Sequence, residues 1–409
     1  MFGLKCLLPI TLIFVMIINL SDAKLRTCNT SSIEYVFVAI VSPSHYPADY
    51  SGGFQLFNRS SKDKNTTLLM KGAEFAYNLG QHLRKTYFLN ETSKDFFRIY
   101  NSTQKRFKQT AYLLSLGLEN QTFNHSNYTA TQNYTIASDT NKSIDGRFLT
   151  GFLNKTTCPE FFNRTKNLSQ SDQNLKIILK DFHDRTKENL TRPSKPNEVS
   201  NATMEDIYKL MVLYEVMVMK REAGKRLDEY LGYWSDDDID KLRRLTNRAG
   251  FVVGSNKIIQ KIVSGRLLHE VLNHMDHVRQ NKSITENVTS TIRLVIFPAP
   301  HMTLATLIGI FSGYKTYTET VFYPHLGAMF VIELHKSCCG KVWYFKVFYK
   351  SQENNKLREA ILPKSYDSND AQTIYRDDAS SILSDMRVES DEEIEKLCKP
   401  NVTRSQKMS

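Results

Sequence analysis

Two periodicities alternate along the chain. Residues 35–41 read Tyr-Val-Phe-Val-Ala-Ile-Val, and an apolar run with no polar alternation predicts a central strand buried on both faces of a sheet. After a loop with Pro43, Pro47, Gly52 and Gly53, residues 68–87 place Leu69, Ala73, Ala76, Leu79 and Leu83 at helical spacing. Residues 96–100 predict a short strand and 109–118 a second helix. Helical spacing then dominates from about residue 161 to 279, most clearly over 204–221, 236–251 and 258–278. The third of these carries a broad stripe that includes Ile259, Ile262, Leu268, Val271 and Met275. Strand character returns at 292–297, a helix follows at 302–311, and 330–334 with 342–349 read as a hairpin joined across 337–341.

Strand, helix, strand, helix at both ends of a helical middle predicts an α/β layer fold with an inserted cap. The divisions that follow are 1–23 (a leader), 24–155 (first part of the α/β domain), 156–258 (helical insertion), 259–399 (second part) and 400–409 (a polar tail). The 409 residues suit one large domain with an insertion. No internal repeat is visible.

The leader changes the expected compartment. Lys5 precedes an apolar run from Cys6 to Leu20, and Ser21-Asp22-Ala23 follows. A run this short, ending in small residues, reads as a cleaved signal peptide rather than a membrane anchor. Nothing later predicts a membrane span, so the expected protein is secreted. Asn-x-Ser/Thr sequons agree with that placement. They occur at Asn29, Asn58, Asn65, Asn90, Asn101, Asn120, Asn124, Asn127, Asn133, Asn141, Asn154, Asn163, Asn167, Asn189, Asn201, Asn281, Asn287 and Asn401. Their density between Asn120 and Asn167 places that stretch mostly at the surface.

The formal charge of +11 survives loss of the leader, because Lys5 and Asp22 cancel. Lys and Arg are spread without a long block or interleaved aromatics in the linear sequence, which argues for a solvated basic surface and against nucleic acid. Five cysteines follow the leader, Cys28, Cys158, Cys338, Cys339 and Cys398, so at least one is free or paired with another molecule. No Cys-x-x-Cys or His-x-x-x-His spacing points to a metal, and no cofactor is expected.

Residues 68–87 contain Gly72, then Leu79-Gly80, Leu83-Arg84 and Tyr87. This pattern resembles the first helix of the histidine acid phosphatases, branch 2 of the histidine phosphatase superfamily. Gly265-Arg-Leu-Leu-His-Glu270, with Asn273-His274-Met275 after it, resembles that family's long helix before its second catalytic strand. The resemblance spans about residues 33–398 and is weakest over 120–233. It implies a mixed, mostly parallel sheet with helices on both faces (phosphoglycerate mutase-like) and a smaller helical cap. It also implies a Cys158–Cys398 disulfide, while Cys28, Cys338 and Cys339 stay unassigned. A homodimer is compatible with it.

The chemistry of that family is missing where it should lie. Its members attack phosphate with the histidine of Arg-His-Gly-x-Arg-x-Pro, since neutral imidazole is nucleophilic. Arginine forks hold the phosphoryl oxygens, and the aspartate of a later His-Asp pair protonates the leaving oxygen. Here Ser42-Pro43-Ser44-His45-Tyr46-Pro47 follows the first strand. Ser42 replaces the first arginine, Pro43 the nucleophile and Tyr46 the second arginine. After the later strand stands Pro298-Ala299-Pro300-His301-Met302. Either Pro300 and His301 replace the histidine and acid, or a one-residue slip keeps His301 and puts Met302 in the acid's place. Thr110-Ala111 aligns Arg106 with the family's intervening phosphate-binding arginine, and Asn101 then stands for the arginine before it.

The expected function is thus a secreted, N-glycosylated acid phosphatase-like pseudoenzyme that binds an unknown protein or anionic ligand. Arg106, His45 and His301 are the candidate anion-binding residues. His45 and His301 as a replacement nucleophile and base or as metal ligands lack an evident carboxylate, and two exposed or hydrogen-bonded loop histidines is the plainer reading. Two alternatives stay open: a residual or altered phosphomonoester hydrolase, and a structural or antigenic surface glycoprotein.

Overall fold

The computed structural model describes residues 31–43, 68, 70–88, 96–100, 105–124, 157–175, 177, 214–215, 217–218, 221, 235–280, 292–312, 324–337, 343–350, 358–359, 373–375 and 383–399. The expected leader, the tail, Cys28, Cys338, Cys339, His45, Tyr46 and Asn101 lie outside them, as does most of the helix expected at 204–221.

Seven described strands form one mixed sheet. In chain order they are β1 (Ser31–Val41), β2 (Phe97–Ile99), β3 (Leu294–Ala299), β4 (Met329–Ser337), β5 (Trp343–Lys350), β6 (Arg358–Glu359) and β7 (Thr373–Tyr375). Their spatial order is β2-β3-β1-β4-β5-β6, with β7 also paired to β5. The central strands β2, β3 and β1 run parallel, and β4 onward pair antiparallel.

The unbroken apolar run of β1 is explained by burial on both faces. Tyr35, Phe37, Ala39 and Val41 enter one core, and Val36, Val38 and Ile40 enter the other. Residues Tyr35 to Ile40 are 0% exposed. Helices α5 (Lys257–Arg279) and α6 (His301–Ser312) cover the first face. Helix α5 begins where the Asn256 side chain accepts from the Ile258 and Ile259 amides, which satisfies two of the donors a helix start leaves open. It lays Leu267, Leu268, Val271, Leu272 and Met275 on the sheet.

The opposite face is covered by α1 (Met70–Tyr87) and α2 (Lys105–Leu118). These cross closely at two glycines. A Cβ on Gly80 would lie 2.3 Å from the Leu114 carbonyl oxygen, and one on Gly117 would lie 2.2 Å from that of Tyr77. Asn120 ends α2 at a φ of 56°, a left-handed conformation that asparagine tolerates at helix C-termini.

The middle of the described chain is helical, with α3 (Pro159–Ser171) and α4 (Asp236–Gly254). Two bonds from Arg248 to the Asp172 carboxylate, 3.1 and 2.5 Å long, fasten α4 to the end of α3. The last helix, α7 (Asp391–Cys398), carries three acidic residues in its first turn, where they favour the helix dipole. Cys398 at its end is bonded to Cys158, across 240 residues of chain. The disulfide implied by the resemblance is therefore present.

Candidate functional site

In an open α/β sheet, ligands sit beyond the carboxyl ends of the parallel strands. The residues singled out at the ends of β1 and β3 meet there, because Ile40 pairs with Pro298 and Val41 with Ala299. Ser42 and Pro43 leave β1 already buried, with Ser42 only 1% exposed. Thr110 of α2 approaches, its Oγ1 lying 3.4 Å from Ser42 Oγ while also donating to the Arg106 carbonyl at 2.8 Å. This contact brings the first turn of α2, and so Arg106, to the end of β1. Arg106 is buried, with its guanidinium 4.8 Å from the Phe107 ring centre. Ser42 and Pro43 carry neither a charge nor an imidazole.

Pro300 leaves β3, and His301 opens α6 as a buried residue. It is not an exposed loop histidine. The Pro324 carbonyl lies 2.5 Å from Nδ1, and since a carbonyl only accepts, Nδ1 carries the donated proton. Nε2 lies 3.1 Å from the Glu215 carboxylate, off the line of a good hydrogen bond. Tyr214, next to Glu215, packs against His325, next to Pro324, with ring centres 6.2 Å apart. Both nitrogens of His301 thus face protein groups, and the imidazole joins three separate parts of the chain.

Glu215 is the carboxylate beside His301 that reading by motif misses. One signal for it exists: it is the lone charge in the run Met211-Val-Leu-Tyr-Glu-Val-Met-Val-Met219, and a carboxylate in such a run is buried only when it is paired. His45 and Tyr46 lie outside the described residues, so the site as described consists of Ser42, Pro43, Arg106, Thr110, Glu215, Pro300 and His301. No cluster of metal-ligating side chains occurs among the described residues. No described helix is long and apolar enough to cross a membrane. Of the sequon asparagines, Asn120, Asn124, Asn163 and Asn167 are described, and all four are exposed.

Comparison with known proteins places this arrangement. An acid phosphatase-like protein of Xenopsylla cheopis is 21% identical over 397 residues, spanning 94% of this chain and 99% of its own. The phytase of Citrobacter braakii shares the fold with a TM-score of 0.59 at 14% identity, covering 90% of this chain and 100% of that one. The phytase of Klebsiella sp. ASR1 gives 0.60 at 12% identity, covering 91% and 98%. Residues 29–357 match the family described as the histidine phosphatase superfamily (branch 2), and the chain belongs to that family.

Proposed function

We propose that this acid phosphatase-like protein is a secreted, N-glycosylated pseudoenzyme that acts by binding rather than by hydrolysing phosphate. The observation that carries the reading is the content of the two strand ends. Ser42-Pro43 stands where the resemblance expects an arginine and the nucleophile, and His301 is committed to Pro324 and Glu215. Loss of a nucleophile from a catalytic unit costs on the order of 10⁶-fold in rate, and by the resemblance two arginines and the acid are missing with it. Arg106, buried beside the end of β1, is what remains for an anionic group in the cleft. The apolar leader and the exposure of Asn120, Asn124, Asn163 and Asn167 support secretion and glycosylation.

The test is hydrolysis of an aryl phosphate across pH 3.5–8, with protein from a secretory host and an active family member alongside. The expected result is turnover no higher than a mock preparation, with glycan mass on the purified chain. Turnover within about 100-fold of the control, lost on His301→Ala, would overturn the reading.

A further inference from the structure

Among the described residues, the face of the sheet covered by α1 and α2 is incompletely roofed at β5. Along that strand Phe345, Val347 and Tyr349 are buried in the opposite core, while Tyr344, Lys346, Phe348 and Lys350 are half-buried on the α1 side. Two aromatics and two lysines therefore alternate on one face. Strand geometry puts Lys346 and Lys350 about 13 Å apart.

Helix α1 adds His82 and Lys85, both exposed. Helix α1 meets this part of the sheet through Tyr87, whose hydroxyl donates to Glu333, opposite Lys346 in register, and burial, then the charges of Lys350 and Lys85, hold the His82 imidazole below its ordinary range. Burial likewise lowers Lys350. None of Lys85, Lys346 and Lys350 takes part in an ion pair among the described residues. Glu333 stands opposite Lys346 in register, but its two oxygens are engaged by the Tyr87 hydroxyl at 2.6 Å and His335 at 2.7 Å. Like charges gathered beside half-buried aromatic rings complement an anionic partner with apolar faces.

We propose that this strip, made of His82, Lys85, Lys346 and Lys350 with Tyr344 and Phe348, is a binding surface for a linear sulfated polysaccharide. Sulfates pair with the lysines, and sugar faces rest on the Phe348 ring and on the side of Tyr344 turned away from His335, which stacks on it with ring centres 5.1 Å apart. The choice of a glycan over a nucleic acid rests on the secretory reading above. The strip itself lies away from the ends of β1 and β3 and does not depend on whether the cleft hydrolyses phosphate.

The experiment uses heparin with the full-length glycosylated protein at several salt concentrations. Lys346→Gln with Lys350→Gln is compared with a control of equal charge, Lys166→Gln with Lys257→Gln, both exposed and elsewhere. Binding should fall at least tenfold in the first pair and less than twofold in the control. Its dependence on log salt should flatten by about two ions, as counterion release requires. A melting curve on each variant establishes that it is folded. An equal loss in both pairs, or no heparin binding at 50 mM salt, would overturn the proposal. So would tighter binding of single-stranded DNA than of heparin through the same lysines. Aryl phosphate turnover with this pattern intact would sink the pseudoenzyme reading and leave the strip standing.

Discussion

His301 and Glu215 are 86 residues apart in the chain and 3.1 Å apart in the fold. Their side chains are 9% and 11% exposed, so water screens the pair weakly. Removing one partner leaves the other polar group buried with a contact missing, which typically costs about 1–3 kcal/mol. Glu215→Ala and His301→Ala should each lower the urea midpoint. The double variant should lose less than their sum, by about 1 kcal/mol or more of coupling. Strict additivity would show that the contact contributes nothing to stability.

The Cys158–Cys398 bond closes 240 residues of chain at a buried junction of α3 and α7, where Phe161, Ile259, Ile262, Val388 and Ile394 pack around it. Both sulfurs are inaccessible, with Cys158 at 0% and Cys398 at 2% exposure. The paired substitution to serine should cost about 2–4 kcal/mol by releasing the unfolded chain from its loop. Chemical denaturation of the oxidised protein and the serine pair measures it. A cost below about 0.5 kcal/mol would mean that packing alone holds the junction.

Much of this architecture is legible in the sequence, for physical reasons that can be named. The run 35–41 has no polar position because both of its faces are buried, and the stripe of α5 is broad because it crosses the sheet. Gly265, within the segment that carried the family resemblance, is required by contact: a Cβ there would meet Val388 at 2.4 Å and the Met386 carbonyl at 2.9 Å. Periodicity stops at pairwise geometry. It finds the helix around Glu215 but not that its carboxylate reaches the start of α6. The plainer reading of His301 as a loop histidine fails because the chain turns at Pro300, just past β3, and the histidine opens α6.

The glycine contact between α1 and α2 sets a strict size limit. Gly80 and Gly117 face each other's backbone, and the atoms that a new Cβ would strike are carbonyl oxygens that cannot rotate away. Gly117→Ala must therefore separate the helices or bend one of them. Overpacking of this kind costs about 1–3 kcal/mol, occasionally more, against the small gain alanine normally brings inside a helix. The expected result is a lower melting temperature with retained secondary structure. A more stable Gly117→Ala would show that the helices are not held this close.

Asp172 gives a pH signature for the contact between α3 and α4. Burial pushes its carboxyl up, but the Arg248 hydrogen bonds, the Leu175 amide and the Arg248 charge outweigh burial and hold it below its ordinary value of 3.8. A carboxyl depressed in the folded state adds stability above the unfolded-state value, and that stability is lost as pH falls through the folded-state value. Asp172→Asn keeps the side-chain shape and removes the charge. It should be less stable than the parent at pH 7, with the gap closing as acid protonates Asp172 in both states of the parent. Equilibrium unfolding at steps from pH 7 to pH 2.5 reads the difference directly. A gap that stays constant over that range would mean that Arg248 recognises the shape of residue 172 and not its charge.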